Sequence, residues 1–211
     1  MIRVLLADDH TLVREGLRQL LGTAPGIEVA GEAANGDEAL ALVKANDYDL
    51  AVLDLSMPGL AGIDLVKRVK LEKPKLRILV LSMHGEQQYA ARALKAGASG
   101  YLTKDSASAQ LVGAIRKIAA GGVHISEAAA AQLVASKGSA HAGDAAPHTR
   151  LSNREFEVFR LLVEGLGPTD IADRLHLSVK TVSTHKTRIL EKMGMQSTAD
   201  LVRYAVEHKL S

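Results

Sequence analysis

Short apolar runs alternate with helical patterns over the first 120 residues. The apolar runs occupy residues 2–7, 27–33, 50–55, 77–82 and 99–103. Unbroken runs of this length favour strands that are buried on both faces. The segments between them repeat apolar residues at helical spacing, and several end in Gly or Asn, as helix C-termini do. This alternation predicts an α/β domain whose doubly wound parallel sheet has five strands, with right-handed crossovers.

Five helices are predicted between and after these strands. In the first of them the spacing of Leu12, Leu17, Leu20 and Leu21 suggests one buried face, and the segment stops at Gly22. The predicted segments are 11–22, 36–46, 62–72, 86–97 and 106–122.

The pattern weakens after Gly122. Residues 124–138 are rich in Ala and predict one further helix, whereas residues 139–149 are small and polar and have the composition of a linker. We therefore expect three parts: a domain at 1–122, a helix and flexible linker at 123–148, and a second domain at 149–211.

The remaining residues predict helices only. Ser152 and Glu155 form a capping-box pattern at the start of the first helix. A short helix, a tight turn and a longer helix capped by Ser178 follow, and one more helix closes the chain. The order predicts an all-α, four-helix helix-turn-helix domain. Its helical segments are 151–165, 168–175, 179–194 and 197–209.

Composition and charge narrow the classes of protein that fit. The 211 residues suffice for two ordinary domains and include no cysteine, which excludes disulfides and thiolate metal sites. No apolar run has the length of a membrane span, and the first residues lack a signal peptide's pattern, so we expect a cytoplasmic protein without a membrane partner. Residues 149–211 carry ten Lys or Arg against eight Asp or Glu, which is only mildly basic. Nucleic-acid binding must therefore be argued from the placement of charges.

Charged and polar residues stand where the predicted strands end. Asp8 and Asp9 follow the first strand, Asp54 is near the end of the third, Ser82 ends the fourth, and Lys104 follows the fifth. Ligands of doubly wound sheets gather at this edge. Close carboxylates raise each other's pKa, and a hard cation such as Mg²⁺ would relieve their repulsion. A phosphoryl group would explain the lysine and the hydroxyl, with Asp54 as the nucleophile that accepts it.

The motifs LLADDH, DLSMPGLAG, LS and GYLTK resemble those of the flavodoxin-like receiver domain of two-component response regulators, over about residues 2–120. The resemblance implies that Asp54 is the phosphoacceptor, that Asp9 binds Mg²⁺ directly and that Asp8 does so through water. It also implies that the Ser56 carbonyl is a magnesium ligand and that Lys104 pairs with the phosphate. It gives switch roles to Ser82, which would move toward the phosphate, and to Tyr101, which would swing inward.

One position departs from the family's pattern. Many receivers have Pro after the lysine, whereas Asp105 follows Lys104 here. A cis bond without Pro would cost about 3 kcal/mol, so the family's loop geometry is not carried over to this position.

The long helix of the second domain has two contrasting faces. A helical wheel places its apolar residues within an arc of about 100° that should pack inward, namely Val179, Val182, Ile189, Leu190 and Met193. The opposite face is polar and cationic, with Lys192 and His185 at its margin. Such a face suits the major groove of DNA. Its members are Lys180, Ser183, Thr184, Thr187 and Arg188.

The run LSVKTVSTHKTRILEKMG is similar to the LuxR/FixJ-type helix-turn-helix, and the similarity covers about residues 149–211. The resemblance implies that Ser183, Thr184 and Thr187 read bases. It implies that a second group of side chains contacts the DNA backbone. It also implies a homodimer on two half-sites of double-stranded DNA. That second group comprises Lys180, Thr181, His185, Lys186 and Arg188.

Together these features predict a transcriptional regulator rather than an enzyme. A sensor histidine kinase would phosphorylate Asp54, and the modification would change dimerisation and promoter binding. The domain would at most remove its own phosphate slowly. One alternative is a phosphorylation-independent dimeric transcription factor that uses the first domain only for interaction. A phosphohydrolase would usually need a second Asp where Ser56 stands, and a ligand-sensing regulator would need a roomy apolar pocket.

Overall fold

The computed structural model describes residues 1–57, 59–60, 62–82, 86–126, 130, 146–175, 177–208 and 210. The chain divides into two compact units, residues 1–134 and 135–211. Most of the predicted Ala-rich helix at 124–138 and of the linker lies outside the described residues.

The first unit is built on a parallel sheet of five strands in the order β2-β1-β3-β4-β5. This topology confirms the predicted doubly wound fold, because the chain crosses over from one side of β1 to the other after β2. The central strand β3 is buried along its whole length, as its continuous apolar run indicated. The strands are β1 (Ile2–Ala7), β2 (Ile27–Ala33), β3 (Leu50–Asp54), β4 (Arg77–Ser82) and β5 (Gly100–Thr103).

Five helices cover this sheet. Asn35 caps the second, because its side chain accepts a hydrogen bond from the Glu38 amide. The fifth begins at Lys104, two residues before the predicted start, and Thr103 is its N-cap residue. The helices are α1 (Thr11–Gly22), α2 (Gly36–Ala45), α3 (Gly62–Glu72), α4 (Glu86–Lys95) and α5 (Lys104–Ala119).

The prediction for Leu12 is wrong, because this side chain is 85% exposed. Leu17 and Leu21 are buried in the core beside residues of α5. Nine steps of 100° separate Leu12 from Leu21, so the two lie on opposite sides of α1.

The chain after α5 returns to the sheet instead of starting a new helix at once. His124 forms a parallel bridge with Gly100. Its carbonyl accepts a hydrogen bond of 2.9 Å from the Tyr101 amide, and its own amide donates to the Ser99 carbonyl at 3.2 Å. The predicted helix start at residue 124 is therefore wrong, because the exposed edge of β5 offers backbone partners for an extended segment.

The second unit has the predicted four α-helices, preceded by a 3₁₀ helix at Pro147–Arg150. His148 of this 3₁₀ helix is buried, so the predicted linker ends earlier than expected. The capping box of Ser152 and Glu155 is present. No helix among the described residues is both long enough and apolar enough to cross a bilayer. The α-helices are α6 (Asn153–Val163), α7 (Pro168–Leu175), α8 (Val179–Met193) and α9 (Thr198–Glu207).

Gly36 at the start of α2 provides a test of the first unit. A Cβ atom there would overlap the carbonyl oxygen of Leu60, whereas one at Gly113 in α5 would meet nothing within 4 Å. We expect Gly36→Ala to lower the free energy of unfolding by about 2 kcal/mol or more, because backbone must move. The matched change Gly113→Ala should raise it by about 0.5–1 kcal/mol. Urea unfolding of both variants checks this, and equal stabilities would contradict the described packing at Gly36.

Candidate functional site

The two buried carboxylates of the first unit lie side by side at the carboxyl edge of the sheet. Asp8 follows β1 and Asp54 ends β3, and the strand register pairs Ala7 with Leu53. Both carboxylates are fully buried. Two buried acids at the ends of neighbouring strands require a compensating charge.

Lys104 supplies that charge. Its Nζ lies 2.6 Å from Asp8 Oδ2 and 2.8 Å from Asp54 Oδ2. Burial alone lowers the pKa of Lys104, but the hydrogen bonds and charges of the two carboxylates raise it above its ordinary value. The ammonium therefore stays charged and bridges the ends of β1 and β3 from the first turn of α5.

Asp54 is desolvated by its burial. Burial raises the pKa of Asp54 above its ordinary value, and the negative charge of Asp8 acts in the same direction. Hydrogen bonds from Lys104 and from the Ser56 amide, at 3.0 Å, oppose the rise. An acid that is costly to ionise in its site gains when further positive charge arrives.

A cation fits the donor atoms gathered here. Asp8, Asp9, His10 and Asp54 each offer one ligand atom, and these atoms all lie within 4.8 Å of one another. Oδ1 of Asp9 is shielded from solvent and accepts no hydrogen bond. One ammonium leaves the three carboxylates under-neutralised, so an oxygen-seeking divalent cation suits the pocket.

Ser82 and Tyr101 also lie near this edge of the sheet. Ser82 is buried and pairs in register with Thr103, the residue before Lys104. Tyr101 is fully buried, and this is the inward position that the resemblance associates with the switch. The movement of either side chain stays a prediction, as does the role of the Ser56 carbonyl.

The departure at Asp105 has a simple outcome. The described residues contain no cis peptide bond, so the bond between Lys104 and Asp105 is trans. Helix α5 starts at once, and exposed Asp105 lies in its first turn, where the helix dipole favours a negative charge.

Helix α8 of the second unit exposes the predicted polar face. All five predicted members of that face are exposed, and Val182, Ile189 and Met193 of the opposite arc are buried. The prediction for Val179 is wrong, because it is 44% exposed in the first turn of the helix. Two further residues that were predicted to contact the DNA backbone, Thr181 and Lys186, are half-buried.

The three predicted base-reading hydroxyls have a common orientation. Ser183, Thr184 and Thr187 each donate a hydrogen bond to the carbonyl four residues earlier, at 2.9, 2.9 and 3.1 Å. Their oxygen lone pairs therefore remain available as acceptors on an exposed face.

Models of known families match both units. Residues 4–116 match the response regulator receiver domain, and residues 149–205 match the luxR family of bacterial regulatory proteins. The chain is 34% identical over 210 residues to response regulator UvrY of Escherichia coli (strain K12), covering 100% of this chain and 96% of that protein.

Solved structures of RcsB are similar over both units. One is RcsB from Salmonella enterica serovar Typhimurium bound to promoter rprA with the phosphomimetic BeF₃⁻, with a TM-score of 0.67 and 29% identity, covering 96% of this chain and 97% of that one. Another shows two RcsB dimers on two parallel DNAs, with a TM-score of 0.59 and 30% identity, covering 97% and 98%.

The chain is a response regulator of the NarL/FixJ family. Proteins of this family are phosphorylation-regulated transcription factors. They combine a receiver domain with a LuxR-type DNA-binding domain. The clustered acids and Lys104 therefore lie in the receiver domain, and α8 lies in the LuxR-type DNA-binding domain.

Sequence reasoning missed two features of this response regulator. His10 joins the acidic cluster, and the signal for it was its position directly after Asp8 and Asp9. Lys192, which the helical wheel placed at the margin of the polar face, binds Glu155. Its Nζ lies 2.9 and 2.6 Å from the two carboxylate oxygens of Glu155.

Glu155 attaches α8 to α6. It accepts a hydrogen bond of 2.7 Å from the Ser152 amide while it binds Lys192. Burial alone would raise the pKa of Glu155, but Lys192 and Ser152 hold it below its ordinary value. His185 of α8 is half-buried, and its pKa is lowered by burial and by the nearby charge of Arg154.

This attachment can be tested with Glu155→Gln, which can keep the cap but removes the charge. We expect the free energy of unfolding of the second unit to fall by about 1–2 kcal/mol at pH 7, a modest value because Lys192 is 41% exposed. A depressed carboxyl pKa stabilises above the unfolded value of about 4.3 and ceases to do so as the pH falls through the folded pKa. The deficit should therefore shrink below pH 4.

Hydrogen exchange of the α8 amides in the full chain measures this deficit. Lys192→Met should give a comparable loss at pH 7, and the double variant should lose less than the sum of the two. A deficit that is independent of pH would argue against the ion pair.

Proposed function

We propose that Asp54 of this regulator accepts a phosphoryl group from a sensor histidine kinase, and that the phosphorylated protein binds promoter DNA as a homodimer. The observation that carries the proposal is Lys104 Nζ, which lies 2.6 and 2.8 Å from two fully buried carboxylates. This arrangement provides a nucleophile and a cation at one point, which phosphoryl transfer requires.

The transfer follows from the placement of these groups. A carboxylate oxygen of Asp54 attacks phosphorus, an acyl phosphate bond forms, and the bond to the donor's imidazole nitrogen breaks. Lys104 already lies against the attacking carboxylate and can pair with a phosphoryl oxygen. Asp8, Asp9, Asp54 and the Ser56 carbonyl would hold Mg²⁺, which when bound neutralises charge on the phosphoryl oxygens.

The phosphoryl group also changes the charge balance that holds the pocket together. Lys104 begins α5 and follows β5, so a new partner for its ammonium acts on both elements. Ser82 is in register with β5, and its hydroxyl would donate to the phosphate. Tyr101 of β5 would repack together with Ser82. Through this repacking the modification would favour the homodimer interface.

The exposed face of α8 supports the DNA-binding part of the proposal. Lys180 and Arg188 would pair with phosphates, joined by Thr181, His185 and Lys186. The oxygens of Ser183, Thr184 and Thr187 can accept hydrogen bonds from adenine N6 or cytosine N4, because their own protons go to helix carbonyls. A homodimer would present two such helices to two half-sites.

The pocket favours acceptance of phosphate over rapid hydrolysis. Ser56 stands two residues after the nucleophile, where many aspartate-dependent phosphohydrolases carry an acid. We therefore propose that the receiver catalyses its own phosphorylation and at most slow dephosphorylation. The alternative, a factor that does not need phosphorylation, explains Lys104 as the counter-charge of Asp8 and Asp54 but gives the two buried acids no chemical role.

Acetyl phosphate with Mg²⁺ should label the wild-type chain with about one phosphoryl group, whereas Asp54→Asn should remain unlabelled because the nucleophile is lost. Asp47→Asn is the matched control, since this exposed acid lies at the other end of the sheet and should not affect labelling. Phosphate-affinity electrophoresis measures the product, and a chelator should reduce it at least tenfold. Full labelling of Asp54→Asn would assign the acceptor elsewhere.

Lys180→Ala should weaken binding to all DNA sequences, because its ammonium contacts phosphate rather than bases. The slope of log K against log salt should flatten by about one unit. Fluorescence anisotropy with specific and random duplexes measures both effects, and Lys75→Ala on the first unit is the control. An unchanged slope for Lys180→Ala would remove this residue from the phosphate contacts.

A further inference from the structure

His10 has no role in the proposed phosphoryl transfer, yet its imidazole lies in the acidic pocket. Its Nδ1 is 2.8 Å from Asp9 Oδ1 and 3.3 Å from Asp8 Oδ1. The oxygen of Asp9 is shielded from solvent, and the imidazole lies within ion-pair distance of it.

These spacings match those between ligands of one metal ion. Two donors at right angles, each about 2.1 Å from an ion, lie about 3 Å apart. The nitrogen of His10 stands at such a distance from oxygens of both Asp8 and Asp9. One oxygen of Asp54 completes a set in which no two donor atoms are more than 4.8 Å apart.

The helix that His10 precedes makes no use of the imidazole. His10 is the N-cap residue of α1, but its side chain forms no capping hydrogen bond. The side chain is 59% exposed, so the ring can adjust to a ligand without disturbing the core.

An imidazole changes which cation the pocket prefers. Mg²⁺ takes oxygen ligands and keeps several waters, whereas nitrogen ligands suit first-row transition metals such as Co²⁺ and Zn²⁺. The set of three carboxylates and one imidazole therefore offers oxygen ligands, which suit Mg²⁺, and one nitrogen ligand, which suits transition metals.

We propose that His10 is a metal ligand, and that it gives the phosphorylation pocket a selective affinity for first-row transition-metal ions over Mg²⁺. The proposal deepens the proposed function and rests on Asp8 and Asp9 forming its cation site. A transition-metal ion held in this way uses the same carboxylates as Mg²⁺, so the two compete for one site.

The test is a Co²⁺ titration of the full chain, followed by visible absorption. His10→Ala should bind Co²⁺ at least fivefold more weakly than the wild type, with a changed spectrum because a nitrogen ligand is lost. Its Mg²⁺ affinity, measured by competition, should fall less than twofold. His208→Ala is the matched control, since this exposed histidine lies in the second unit. It should bind Co²⁺ as the wild type does.

Three results would overturn the proposal: a Co²⁺ loss below fivefold in His10→Ala, an equal loss in His208→Ala, or a Mg²⁺ loss as large as the Co²⁺ loss. Zn²⁺ titration of the wild-type chain with ¹⁵N-labelled histidine gives a second readout that needs no variant. The Nδ1 resonance of His10 should shift on binding, and an unshifted resonance would also overturn the proposal.

Acetyl phosphate labelling of the wild type with Mg²⁺ separates the two hypotheses. Normal labelling with unaltered Co²⁺ binding by His10→Ala refutes only the role of His10. A wild type that resists labelling while His10→Ala loses Co²⁺ affinity refutes only the phosphoacceptor.

Discussion

The first unit depends on one interaction, the ammonium of Lys104 between the buried carboxylates of Asp8 and Asp54. Both acids are fully buried at strand ends, where an uncompensated charge would be too costly to keep. Lys104 lies at the start of α5, so the same contact ties that helix to β1 and β3. Chemistry and packing thus share one ion triad. Any group that binds there must change the partners of an ammonium on which the local fold relies.

The second unit contains a smaller version of the same arrangement. Glu155 is buried and caps the start of α6, while Lys192 reaches it from the last turn of α8. A helix whose outer face is exposed must be held by its inner face and its ends. The apolar side chains of Val182 and Ile189 supply the burial, and the ion pair adds direction, which apolar contact lacks.

The Glu155–Lys192 pair and the triad of Asp8, Asp54 and Lys104 differ in how well their charges are balanced. Lys192 is partly exposed and its carboxylate partner already has a backbone donor, so this pair is suited to a permanent attachment. Asp54 has a raised pKa and shares Lys104 with Asp8, so its ionised form is under-compensated. A site with excess negative charge favours a bound cation, and an added phosphoryl group would increase that need. This is the property expected of a switch.

Much of this protein follows from its sequence alone. Five apolar runs separated by helical patterns determine a parallel sheet, and residues at strand ends such as Asp54 must then meet at one edge. The capping pattern of Ser152 and Glu155 is local, so it too could be predicted. Local patterns suffice in these cases because each residue's role depends on neighbours in the chain or on the regular geometry of a sheet.

Only the tertiary structure decided how individual side chains are used. A helical wheel cannot tell that Lys192 meets Glu155, because the partner lies 37 residues away on another helix. The exposure of Val179 depends on where α8 first reaches its neighbours. The approach of His10 to Asp9 depends on the turn after β1. Periodicity determines which face of an element is apolar, whereas long-range contacts determine which polar atoms converge, and the chemistry of the pocket depends on that convergence.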